Sequence, residues 1–510
     1  METILVIDTG SQSMRGILFD RTGVMLFSRR VSYFMKIDGA KAEQEPSEFR
    51  NALVSVCREA AGFLREHPEN TLSGMVLTSQ RSSVIPVDRN GDPLAPAIMW
   101  YDKRSQSICD EMNRKYGAEL YRTCGILASP VMTAPKMAFL KVSCPELYEC
   151  AFKLITIHDF LLHTLTGRFV TDYSVAGRSC LFNISSLRWS GEMLERFGLD
   201  GDKLPELVEP GSIIGKLLPD FCEQTGLPVV PVVTGGGDQQ CAVLGQGLLK
   251  QGDIGINTGT GAYVVSILDS PVFEKPGRVN LGCSAVPGKW VLEANTLSSG
   301  SVYQWFNSCF YPGQTDFTEI DREVSRVPPG ANGVIALPDL SGKGCPEWDG
   351  DARGTFWGLS FSTSRADCAR ALLEGIACEI AECYFALAET VRGGSDFRVC
   401  SAGGLSKSEL FNQMLADLIG KPVERCGMQE LTALGAWINA AVALGFYESR
   451  EEAFQAFTEN TAVECFYPRK KESVVYKTLL RVRTVLEKNL KNGEIARYQS
   501  GLSELEDQTN

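Results

Sequence analysis

Val6–Asp20, "VIDTGSQSMRGILFD", governs how the rest of the chain is read. The apolar run Ile4–Ile7 stops at Asp8, and strand-like character resumes at Arg15–Asp20 after "TGSQSM". "DRTG" then turns into "VMLFSRRVSY", so the opening predicts an antiparallel meander of three strands. Successive amides in a Gly/Ser/Thr turn can form a concave nest for an anion, and the hydroxyls add donors. Glycine lets a phosphate approach the backbone closely. A single such turn is more often an ordinary hairpin. The pattern returns, however, at Gly252–Leu268, "GDIGINTGTGAYVVSIL". Two matched turns, one near the start of each half, predict two similar α/β domains with a boundary between about Leu244 and Asp253.

Elsewhere the same alternation holds. Pro46–Arg65 has helical periodicity, and "LSGMVLTSQ" and "VIPVDRNGDPL" read as strands, the second closed by Asn-Gly. "DFRVC" runs into Gly403-Gly404 and then a helix with Leu410, Met414 and Leu418 on one face. Such a junction suits a nucleotide base or ribose lying on backbone at a helix N-terminus. Lys471–Lys491 predicts an amphipathic, lysine-rich helix, and "SELEDQTN" a frayed tail. Neither GxxxxGK[ST] nor a strand-associated GxGxxG occurs, which removes support for Walker and Rossmann sites.

Composition narrows the partners. With 510 residues, 44% hydrophobic and 22% charged, the chain is long enough for two or more globular domains. A net charge of −12 disfavours nucleic acid and anionic membrane surfaces. Seventeen cysteines are scattered from Cys57 to Cys465 without a CxxC pair, and the histidines are His67, His158 and His163. Zinc-site spacing and a secreted disulfide framework are therefore absent, as is a signal-peptide pattern or an apolar run long enough for a membrane span. A cytoplasmic protein is expected.

Pro231–Gly245, "PVVTGGGDQQCAVLG", sets a carboxylate directly after three glycines. A helix N-cap at Asp238 is chemically sensible, but capping does not demand the glycine run.

Together these motifs resemble the FGGY family of carbohydrate kinases, within the actin-like ATPase superfamily. The resemblance runs in order from Ile4 to about Gly445 through "VIDTGSQSMRGILFD", "TSQRSSVIPVDRNGDPLAPAIMWYDKR", "TGGGDQQCAVLGQG", "INTGTGAYV", "LPDLSGKGCPEWDGDARGTFWGLS", "SAGGLSKSELFNQMLADLIGKPV" and "ALGAWINAAVALG". It implies an α/β fold of two actin-like (ribonuclease H-like) domains with an interdomain catalytic cleft. The expected division is 1–247, with the sugar site and first phosphate turn, 248–447, with the nucleotide site, and a helical extension over 448–510.

The resemblance implies roles residue by residue. Asp238 is the base that takes the proton of the attacking sugar hydroxyl. Asp8 is the carboxylate near Mg2+, acting through water. Ser11, Gln12, Ser13 and Arg15 match the first phosphate turn and Thr260 the second; Gly300, Gln304, Gly404 and Ser408 line the adenosine. Gln80, Arg81, Asp102, Gln239 and Tyr263 are the substrate contacts. "QRSS" resembles the "QRE" of glycerol kinases with Ser82 in place of the glutamate, their tyrosine is missing around Ser129–Pro135, and the xylulokinase "QMH" is absent. These departures loosen any assignment to glycerol or xylulose; other stretches sit closer to xylulokinase-like and autoinducer-2-kinase-like branches.

The expected activity is ATP-dependent phosphorylation of a ketose, polyol or related small carbohydrate. The resemblance allows a homodimer. Two other readings stay open: a nucleotide-switching ATPase without kinase activity, and a catalytically silent sugar-binding regulator.

Overall fold

β1 (Glu2–Thr9) pairs antiparallel with β2 (Ser13–Asp20), and β2 with β3 (Met25–Ser32), in the meander expected. The register sets Asp8 opposite Arg15. β1 and β2 are buried along almost their whole length, as strands covered on both faces must be, whereas β3 is an exposed edge. The next helix, α1 (Pro46–Glu66), starts with proline in its first turn, where the missing N–H costs nothing. It buries Phe49, Leu53, Val56 and Ala60 at helical spacing, in a core shared with Ile7, Met14 and Leu18. The structure, a computed structural model, describes residues 1–275, 277–314, 317–391, 397–427, 430–459 and 463–492. "SELEDQTN" lies outside them.

β4 (Thr71–Ser79) runs parallel to β1. After α2 (Ile157–Thr166), which opens on a capping box of Thr156 and Asp159, come β5 (Ile213–Lys216) and β6 (Pro231–Gly237). β6 pairs parallel to β4, and the sheet order is β5-β6-β4-β1-β2-β3. This is the ribonuclease H-like arrangement that the resemblance implied. α3 (Asp238–Gly245) leaves the end of β6 directly.

The chain forms two compact units. The first comprises Met1–Gln251, Ile267–Leu292 and Met428–Ala462; the second comprises Gly252–Ser266, Glu293–Gly427 and Val463–Asn510. In the second unit, β7 (Ile254–Thr258) pairs antiparallel with β8 (Ala262–Leu268), again strand, turn, strand. α4 (Gly300–Phe310) and the long α5 (Arg365–Thr390) follow. β9 (Val399–Gly403) lies parallel to β7, and α6 (Glu409–Ile419) begins five residues past its end.

The second unit's sheet continues with β10 (Val423–Cys426), parallel to β9. α7 (Leu431–Ala443) and α8 (Arg450–Thr458) then belong to the first unit, so the single segment 248–447 expected from sequence is not one compact body. α7 packs on α3, backbone to backbone: a methyl group at Gly435 would collide with the Cys241 carbonyl, and one at Gly245 with the Leu431 carbonyl. A period-reading of the sequence sees two apolar helices here, not that they share glycine-lined faces.

The segment 448–510 is likewise more than a helical extension. β11 (Val463–Phe466) pairs antiparallel with β10, and α9 (Lys470–Asn492) then turns one face inward through Tyr476, Leu479 and Arg483. Arg483 is wholly buried, 3.0 Å from Glu487 and 3.8 Å from both Glu379 and Glu382. No helix among the described residues is long and apolar enough to cross a membrane.

Candidate active site

The first turn closes with the Gly10 amide donating to the Ser13 carbonyl at 2.9 Å. Behind it lies a cavity of about 180 Å³ lined by Asp8, Gly10, Ser13, Arg15, Glu430, Leu431 and Thr432. Asp8 is the penultimate residue of β1, and Arg15 faces it across the ladder and forms an ion pair with Glu430, just before α7. Burial, the neighbouring Asp238 and Glu430 push the Asp8 carboxyl up to about 7, against the lowering pull of Arg15. Asp8, with Asp238 and Glu430 near it and Arg15 as the cation opposing them, belongs to a set of carboxylates that suits a divalent cation. Among the described residues no three carboxylate, imidazole or thiolate side chains stand close enough to chelate an ion directly. The donor set therefore fits a hydrated Mg2+ held through its waters.

Asp238 is the first residue of α3, and Gly237 occupies the cap position. The N-cap reading of Asp238 thus fails, although a carboxylate in the first helical turn still favours the macrodipole. Its Oδ1 accepts from the Gln239 amide at 2.8 Å and lies 3.4 Å from Arg81 Nε. Arg81 is nearly buried, while Asp238 and Gln239 are half-buried. Ser82, where the sequence departs from "QRE", has φ +71°, a left-handed conformation uncommon outside glycine.

Two expected substrate contacts are otherwise engaged. Gln80 is buried; its Nε2 donates to the Gly10 carbonyl at 3.1 Å and its Oε1 accepts from Ser11 Oγ at 3.3 Å. It braces the first turn. Trp100 Nε1 donates to the same Ser11 hydroxyl at 2.9 Å, and Tyr33 holds Gly10 from the other side at 2.7 Å. Asp102 is also buried, accepting from the Ala42 amide at 2.9 Å and from Arg104 at 2.7–3.1 Å. Its carboxylate ties a loop together. Of the first-turn residues, Ser13 and Arg15 line the cavity and Gln12 is exposed.

In the second unit, the backbone gathers the predicted nucleotide residues. Thr260 sits in the β7–β8 turn, and its carbonyl accepts from the Ser299 amide at 2.9 Å and Ser301 Oγ at 2.8 Å. Gly300 donates to the Gly259 carbonyl at 2.9 Å, and a Cβ there would sit 2.6 Å from that oxygen. Gly404 donates to the Thr258 carbonyl at 2.7 Å, so Thr260, Gly300 and Gly404 surround one strand end. Gln304 is exposed one turn along α4, and Tyr263 is half-buried on β8. Ser408 caps α6, accepting from the Phe411 amide at 3.3 Å, and also bonds Asp321.

Sequence reasoning missed Glu430. It lies three residues before the quoted motif "ALGAWINAAVALG", and its partner, Arg15, is 415 residues away. An acid directly before an otherwise apolar helix was the available signal.

The chain matches the profile of the FGGY family of carbohydrate kinases, N-terminal domain, over residues 3–245, and that of the C-terminal domain over 255–444. It is 30% identical over 518 residues to a gluconokinase of Bacillus subtilis (strain 168), covering 98% of each chain. It is 30% identical over 493 residues to a xylulose kinase of Lactococcus lactis subsp. lactis, covering 96% of this chain and 97% of that one. A solved xylulose kinase from Lactobacillus acidophilus has the same fold, with a TM-score of 0.89 at 23% identity over 97% of this chain and 99% of that one. Both domain profiles in order, with relatives matched along nearly the whole length, set aside the switch-ATPase and silent-regulator readings and imply ATP as phosphoryl donor. The chain belongs to the FGGY family of carbohydrate kinases and is a phosphotransferase with an alcohol group as acceptor.

Proposed function

We propose that the protein transfers the γ-phosphoryl group of ATP to a hydroxyl of a small ketose, polyol or related carbohydrate, with Asp238 as general base. The observation that carries this reading is the convergence of Asp8, Asp238, Arg15 and Glu430 around the first turn, with Arg81 beside Asp238. Phosphoryl transfer needs a positioned nucleophile, neutralised phosphate charge and a group to take the hydroxyl proton. Asp238, half-buried beside Arg81 and Gln239, takes the proton as the bond to phosphorus forms. Arg81 and Gln239 orient the acceptor, and Tyr263 is a further candidate substrate contact. Ser13 and Arg15 bind phosphate oxygens once Arg15 exchanges Glu430 for them, with Ser11 and Gln12 shaping that turn. Thr260, Gly300, Gln304, Gly404 and Ser408 serve the nucleotide. Asp8 would hold a hydrated Mg2+, which would supply charge neutralisation on the phosphates.

Gluconate and xylulose, the substrates named for the two relatives, head an ATP-coupled screen over ketoses, polyols and sugar acids. On the substrate found, Asp238→Asn keeps the shape and removes the basicity. Its kcat should fall by about 10²–10⁴, with sugar and ATP still binding in calorimetry. A variant retaining more than about a tenth of parental kcat, a barrier change of only ~1.4 kcal/mol, overturns the assignment.

A further inference from the structure

The glycines before Asp238 face protein, not open space. A Cβ on Gly237 would lie 2.6 Å from Arg81 Cδ, and one on Gly236, at φ +116°, 3.1 Å from Ser174 Oγ. The glycine backbone is bound by side chains: Asn439 donates to the Gly235 carbonyl at 2.8 Å, Thr78 to the Gly236 carbonyl at 2.8 Å, and Gly237 N–H donates to Ser174 Oγ at 2.9 Å.

The last of these bonds continues inward. Ser174 donates its one hydroxyl proton to Asp172 Oδ1 at 2.5 Å, which leaves a lone pair aimed at the Gly237 amide. Asp172 Oδ2 accepts the one proton of Thr234 at 2.5 Å, so the 3.2 Å contact from Thr234 Oγ1 to His158 Nε2 requires a ring N–H. His158 Nδ1 meets Asp159 at 3.2 Å. Burial favours a neutral ring, but the Asp159 hydrogen bond and the charges of Asp172 and Asp159 outweigh it and raise the His158 pKa. All five side chains are almost wholly buried. Such a network is costly unless every member is satisfied, and here the donors and acceptors match.

We propose that Ser174, buttressed by Asp172, Thr234 and His158, is a positioning residue for phosphoryl transfer: it fixes the 236–237 peptide, which leads directly into Asp238, and thereby the direction of the Asp238 carboxylate. The proposal rests on the reading of Asp238 as the base. Ser174 touches no reacting atom; it acts through the amide one residue before the group that does. Misplacing a catalytic group by about 1 Å costs on the order of 10²-fold in rate.

Ser174→Ala is therefore expected to lower kcat about 10- to 100-fold while the KM values for sugar and ATP stay within about twofold. In an Asp238→Asn background the same change should cost nothing further, because there is no base left to aim. A structural role alone would give additive losses, and that result overturns the proposal, as does a folded Ser174→Ala enzyme with parental kcat. Should Ser174→Ala fail to fold, the Thr234 pair decides: Thr234→Ser keeps the hydroxyl and should keep kcat, and Thr234→Val should lose it at constant KM. Equal kcat in both overturns the idea. An active Asp238→Asn removes the base assignment and this proposal together; an inactive Asp238→Asn beside a parental Ser174→Ala removes only this one.

Discussion

Asp8 sits among two other carboxylates and one arginine, and its carboxyl titrates near 7 instead of 3.8, chiefly through burial and the nearby Asp238. Its native pKa lies above its unfolded one, so between about pH 4 and 7 the folded protein holds a proton the unfolded chain lacks. Stability from this group falls as pH rises through that window, and above 7 the penalty is complete. Asp8→Asn should therefore abolish activity yet raise Tm at pH 8, by roughly 1 °C per kcal/mol relieved, with no gain at pH 4. Thermal unfolding at the two pH values checks the sign. Glu430→Gln removes one of the raising charges, so the acid limb of the kcat/KM profile should move to lower pH. The turn that holds Asp8, Ser13 and Arg15 and the strand end before Asp238 were legible as local structure, because turn chemistry and glycine spacing mark them. The bonds of Gln80 to the Gly10 carbonyl and of Asp102 to the Ala42 amide were not legible, because these partners are set by tertiary structure.

The helices that carry Asp238 and Glu430 touch through glycine. Gly435→Ala must push α7 off α3, since its methyl group has only the Cys241 carbonyl to move into. Overpacking of this kind typically costs about 1–3 kcal/mol. Because α7 begins at the cavity and α3 begins with Asp238, kcat should fall along with the urea midpoint. At the other end of the chain, α9 reads from sequence as an amphipathic lysine-rich helix, which describes its solvent side. The inward Arg483 was invisible to that reading, because a cation on an apolar face makes sense only once Glu379 and Glu382 of α5 oppose it. Arg483→Met leaves Glu379 without its arginine and Glu382 with Lys343 alone, and should destabilise the second unit by about 3–5 kcal/mol, measurable by denaturant unfolding.

At the scale of the whole molecule, the two-domain α/β class and the matched turns were readable, because strand–turn–strand patterns are local. The interleaving was not. Each compact unit is assembled from three chain segments, and nothing in the periodicity of Leu431–Ala443 says which unit it joins. A fragment ending at Gln251 lacks α7, and should not give the cooperative unfolding transition that the full chain shows in calorimetry.

The interleaving also has a consequence in time. When Gln251 leaves the ribosome, the groove on α3 that receives α7 is complete but vacant, and the helix that fills it is still untranslated. At roughly 5–20 residues per second, the wait for Ala443 is on the order of ten to forty seconds. For that interval the nascent chain carries an open apolar face beside the peptide that will orient its base. The protein's dependence on chaperones should thus be set by elongation speed between Gln251 and Ala443, and not by the stability of the finished fold.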